Sequence, residues 1–83
     1  MTTEQFYQIA SCASMIQDLA EKGAELSNAE RISRENREFE HKNSRHNNAD
    51  GFGIEVERYV IAKAKIEERI KAKNEELQKL INQ

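Results

Sequence analysis

This 83-residue chain contains no proline and no tryptophan, a single cysteine and only three glycines. An average chain of this length would hold about four prolines, so most of the usual helix breakers are missing. One cysteine excludes an intrachain disulfide framework and a four-cysteine zinc site. Apolar residues make up 37 % of the composition and charged residues 34 %. That apolar share is below the roughly 45–50 % of an average globular domain, which excludes a large buried core in a chain already small for one. The longest uninterrupted apolar run, Tyr59-Val60-Ile61-Ala62, is far short of the about 20 residues needed to span a bilayer. The opening Met-Thr-Thr-Glu-Gln has neither the basic nor the apolar region of a secretory signal. These absences lead us to expect one small, soluble, cytoplasmic, all-α domain over residues 1–83, with no membrane contact.

The charge is unevenly spread. Residues 1–30 set one lysine against five acids, residues 31–46 set five basic residues against three acids, and residues 47–83 hold seven of each. The net charge is only −2. No block is basic enough to make general nucleic-acid binding through counterion release the default expectation.

What is present is helical patterning. Thr2 and Gln5 form a capping box for a first helix over about 4–22. Its apolar face runs through Phe6, Ile9, Ala13, Ile16 and Ala20, widened by Cys12, Leu19 and Leu26. Gly23 is the expected stop; the competing reading carries the helix through it at a cost of about 1 kcal/mol relative to alanine. Ser27-Asn28-Ala29-Glu30 forms another capping box, which predicts a second helix over about 28–46. The inward stripe expected there is Ala29, Ile32, Asn36, Phe39, Asn43, His46, half of it polar. Buried at such a stripe, Asn36 and Asn43 would fix register and oligomer state; the other reading leaves this helix exposed. Glu30, Arg34, Glu38 and Lys42 form an opposite-charge ladder on its outer face.

Asn47 to Gly53 gathers two glycines, two asparagines and an aspartate, which predicts a loop. A third helix is then expected over about 54–81, with Val56, Tyr59/Val60, Ile66, Ile70, Leu77 and Leu80/Ile81 on its apolar stripe, interrupted by Lys63 and Lys73. Lys63-Glu67-Lys71-Glu75-Lys79 reads as the solvated flank of a coiled coil. Such a helix reaches roughly 42 Å, whereas a compact globule of this length is about 30 Å across. The expected architecture is therefore a helical hairpin or three-helix bundle with a long, coiled-coil-like C-terminal helix. It would be oligomeric, most simply a dimer, through Ile66, Ile70, Leu77 and Leu80.

No constellation points to catalysis. Cys12 sits beside an apolar face with few cations near it, which reads as a core cysteine. His41 and His46 are five apart, off the spacing that places two imidazoles on one helix face. Gly51-Phe52-Gly53 lacks the lysine and preceding strand of a phosphate-binding loop. We accordingly expect a non-enzymatic protein without metal or cofactor. Arg31, Arg34, Arg37, Lys42 and Arg45 form the only basic cluster and are the candidate binding residues. The leading expectation is a small adaptor, inhibitor or regulator of a partner protein, of the kind phages and mobile elements use against host machinery. Two alternatives stay open. A small anionic nucleotide could be sequestered at a subunit interface by Arg34, Arg37, Lys42 or Tyr59. RNA or DNA could instead be bound along the basic segment 31–46.

Overall fold

The computed structural model describes all of residues 1–83 as two long helices with no strand. Helix α1 spans Thr3–Lys42 and α2 spans His46–Ile81. They run antiparallel as a hairpin measuring 63 × 14 × 12 Å. The radius of gyration, 18.7 Å, far exceeds the roughly 12 Å of a compact globule of this length. No helix is long and apolar enough to cross a membrane.

The amino end forms as the sequence indicates. Thr2 Oγ1 accepts from the Gln5 N–H at 3.1 Å, and the Thr2 N–H donates to Gln5 Oε1 at 2.8 Å. This reciprocal pair satisfies two of the donors that a helix start leaves free. The expected break at Gly23 does not occur, and the expected helices over 4–22 and 28–46 are one. Gly23 is instead a point of close approach: a Cβ placed there would lie 3.6 Å from Ile66 Cγ2. The second capping box is bypassed, because Glu30 turns to Lys63 at 3.7 Å and Arg34 at 3.4 Å.

The second correction concerns the reversal. The expected loop over 47–53 is helical, and the chain turns at Asn43-Ser44-Arg45. Asn43 Nδ2 donates to the Phe39 carbonyl at 2.8 Å, and Ser44 takes a left-handed φ of 58°. Tertiary contact overrides the weak helix propensity of the Asn/Gly-rich stretch. Ala49 is fully buried, and Gly53 gives the Arg37 side chain room to cross, with Nε 3.5 Å from where a Cβ would sit. The three-helix alternative is thus replaced by a two-helix hairpin.

A coiled-coil seam joins the helices, with a three–four alternation of inward positions. On α1 it runs through Ile9, Cys12, Ile16, Leu19, Gly23 and Leu26, then Glu30, Ser33 and Arg37. On α2 it runs through Ala49, Phe52, Val56, Tyr59, Lys63 and Ile66, then Ile70, Lys73, Leu77 and Leu80. Buried and half-buried residues follow this register, with Ala29, Gly53 and Ala62 half-buried beside it and Arg37 keeping its side chain exposed over Gly53. The stripe expected for residues 29–46 is one residue out of phase. Ile32 and Phe39 are 43 % and 57 % exposed, while Ser33 is buried. Asn36 is exposed and Asn43 caps α1, so neither sets a buried register. Of the residues expected at an oligomer interface, Ile66 is buried and Ile70, Leu77 and Leu80 are half-buried along the seam with α1.

Candidate functional site

The basic cluster is divided by the fold. Arg31 donates to Glu35 Oε1 and to Asn28 Oδ1, both at 2.8 Å, on its own helix. Arg45 closes the turn: its guanidinium donates to Glu40 and lies 5.7 Å from the Phe39 ring centroid. Arg34 keeps a looser contact with Glu30 at 3.4 Å. Arg37 is in no ion pair. Of the ladder Glu30-Arg34-Glu38-Lys42, only the first rung closes, and exposed rungs of this kind contribute at most about 1 kcal/mol.

Arg34 and Arg37 border one open groove between the helices, across which stand Ile54, Val60 and Ile61. These three are 53 %, 45 % and 57 % exposed. Asp50 and Glu57 add carboxylates to its rim. The groove exists because the seam is narrow here: Gly53 lets Arg37 lie flat across α2, and Val56 is the only large apolar residue of the groove that is buried. The sequence points to the arginines by charge and to Val60 as a stripe residue of the last helix. It does not point to Ile54, Val60 and Ile61 standing across from the arginines, which depends on a turn at Asn43–Arg45 rather than over 47–53. A signal was present: four consecutive apolar residues at 59–62 are more than a single helical seam can bury. A second, shallower hollow joins Arg34, Arg37, Glu38, His41 and Lys42.

The remaining candidates are accounted for by packing. Cys12 is buried, with Sγ 3.3 Å from the Lys73 carbonyl oxygen. Tyr59 is half-buried at a seam position. His41 and His46 meet across the turn, Nδ1 to Nδ1 at 3.3 Å, a contact that single-helix spacing did not anticipate. No group of three or more His, Cys, Asp or Glu side chains is gathered to hold a metal ion. Comparison with protein-family models, curated proteins and solved structures finds no match to this chain.

Proposed function

We propose that this hairpin is a small non-enzymatic binding protein, an adaptor, inhibitor or regulator that acts as a homo-oligomer and holds a partner protein. The observation that carries the reading is the groove in which Arg34 and Arg37 stand against exposed Ile54, Val60 and Ile61. Arginine beside a desolvatable apolar surface is the composition that dominates protein–protein hot spots. Its exposed aliphatic side chains make little sense on a helix that merely faces water. The rim carboxylates Asp50 and Glu57 favour a partner presenting both charges over a purely anionic one.

A nucleotide reading has one observation in its favour, the hollow shared by Arg34, Arg37, His41 and Lys42. The nucleic-acid reading has less support, since Arg31 and Arg45 are engaged by Glu35 and Glu40. One experiment separates these readings. Tagged wild type and the double variant Arg34→Glu, Arg37→Glu are used for capture, with mass spectrometry of both bound proteins and small molecules. The expected result is a protein captured by wild type and bound at least about tenfold more weakly by the variant, about 1.4 kcal/mol. Circular dichroism should show unchanged helix content. Equal capture by a folded variant would remove the groove from the function, and a bound nucleotide in place of a protein would transfer the reading to the hollow.

A further inference from the structure

One face of the hairpin is left without a partner. On α1, Phe6, Ala10, Ala13 and Gln17 lie along it, and the same spacing continues through Ala20, Ala24 and Ser27; all are exposed. Every charge in the first 29 residues, from Glu4 to Glu25, lies off this line. On α2 the same face shows Val60, 45 % exposed, and Ile81, 50 % exposed, at either end of a more polar stretch through Glu67, Lys71, Asn74 and Gln78. That these strips share a face follows from the groove, which joins Arg34 of the first to Gly53 and Val60 of the second. The opposite face of the hairpin is more polar, lined by Gln8, Ser11, Lys73 and Glu76 around Met15.

We propose that this face binds a second copy of the chain, antiparallel, on a two-fold axis passing at Gln17. Two observations fix the occupant. The hairpin exposes 6242 Å², against about 5,100 Å² for a compact monomer of its mass. The surplus of roughly 1,100 Å² covers the about 800 Å² that each partner of a stable complex buries. From Ala10 to Ala24 the α1 strip also reads the same in either direction about Gln17, which suits an isologous interface. Ala10 meets the partner's Ala24, Ala13 meets the partner's Ala20, and Gln17 meets the partner's Gln17. Alanine at the four layers flanking the central one lets the helices approach to about 8 Å, the close end of the usual range. The paired glutamine amides at the axis hold the register, as a single polar core position does in coiled coils.

The same axis orders α2. It brings Val60 onto the partner's Ile81, and Phe6 onto the partner's Ser27, so that each end of the overlap closes in an apolar cluster. Glu67 falls beside the partner's Asn74, whose amide can donate to it. Lys71, which holds on α2 the strip position that Gln17 holds on α1, lies nearest its own symmetry mate, and Glu67 and Glu75, a turn away on either side, offset the like charges. The overlap of residues 6–27 is about 32 Å long, half of the 63 Å hairpin. Both tips therefore project from the dimer, so that Arg34, Arg37 and Ile54 of each groove stay free while Val60, at its inner end, enters the interface.

The inference deepens the oligomeric part of the function proposed above and is tested on purified protein without any partner. Wild type is expected to sediment as a dimer at micromolar concentration. Ala20→Arg, which sets a guanidinium against the partner's Ala13, should sediment as a monomer. Ser14→Arg, on the outer side of α1, should remain dimeric. Gln17→Cys should form an interchain disulfide under mild oxidation, whereas Ser14→Cys and wild type, whose Cys12 is buried, should not; this readout stands even if Ala20→Arg fails to fold. A monomeric wild type would overturn both the inference and the oligomeric reading. A dimer in which Ala20→Arg still associates and Gln17→Cys does not cross-link would overturn only the face assigned here.

Discussion

The two halves of the hairpin are held in different ways. In the open half, residues 1–27 and 64–83, the seam is built from Ile9, Cys12, Ile16, Leu19 and Leu26 against Ile66, Ile70, Leu77 and Leu80. In the tip half, the inward positions of α1 are Glu30, Ser33 and Arg37. Ser33 Oγ donates to Glu55 Oε2 at 3.0 Å and Glu30 reaches Lys63 at 3.7 Å. Apolar burial there comes from Ala49 and Val56, with Ala29, Phe52, Tyr59 and Ala62 half-buried. Hydrogen bonds exchanged for water bonds contribute about 0.5–1.5 kcal/mol each, less than a well-buried aliphatic side chain. The open half therefore supplies the stability, while the tip half keeps its aliphatic residues Ile54, Val60 and Ile61 near the surface, where a partner can use them. Stability and binding are separated along the length of one helix pair.

The strongest way to break this comparison is to remove a side chain from the apolar seam. Ile66 is 9 % exposed, and Ile66→Ala should cost about 2–5 kcal/mol in urea unfolding at fixed protein concentration. Phe39→Ala in the tip half should stay within about 1 kcal/mol, because its ring is 57 % exposed and lies beside the Arg45 guanidinium. If the phenylalanine change costs more than the isoleucine change, the register of α1 beyond Leu26 is wrong.

A smaller effect, of opposite sign, is expected at the junction of the halves. Gly23 sits mid-helix with ordinary van der Waals room beside Ile66. Gly23→Ala should therefore stabilise by up to about 1 kcal/mol, seen as a raised thermal midpoint. A helix stop at Gly23 would give the reverse, since alanine disfavours the left-handed conformation of such a stop. The sign alone decides whether one helix or two runs from Thr3 to Lys42.

How far the sequence carried depended on whether local signals agreed with tertiary ones. The first helix start and the α2 seam from Val56 onward were legible, because capping and a regular apolar spacing point the same way there. Of the expected α1 face, Ile9 and Ile16 with Cys12, Leu19 and Leu26 lie in the seam, while Phe6, Ala13 and Ala20 are exposed. The continuity at Gly23 and the helix over 47–53 were not, since glycine and asparagine signal breaks locally while the opposing helix holds the backbone helical. The register of residues 29–46 failed for a related reason. With Ile32 and Phe39 the largest apolar residues in view, the eye puts them inward, yet Ser33 and Glu30 find polar partners across the seam and take those places. Within the candidate site, Arg34 and Arg37 were legible by charge alone. Their pairing with Ile54, Val60 and Ile61 needed the turn to be placed at Asn43–Arg45.

That turn supports the smallest effect in the series. Ser44 has a φ of 58°, a conformation costing an L-residue roughly 1–2 kcal/mol and glycine almost nothing. Glycine also has more freedom to lose on folding, by roughly 0.5–1 kcal/mol. The two terms oppose each other, leaving Ser44→Gly about 0.5 kcal/mol more stable than wild type. The backbone bonds that shape the turn, Ser44 N–H to the His41 carbonyl at 3.1 Å and Arg45 N–H to the Glu40 carbonyl at 2.9 Å, do not involve the side chain. Amide exchange should show the gain confined to slower opening of residues around the tip, with the open half unchanged, because local opening of the turn need not expose the distant apolar seam. Had the chain instead reversed over 47–53, Ser44 would lie inside a helix and the same change would destabilise by about 0.5 kcal/mol. The sign of this small difference thus tests where the hairpin turns, and with it whether Ile54 and Ile61 stand on a helix beside Arg37.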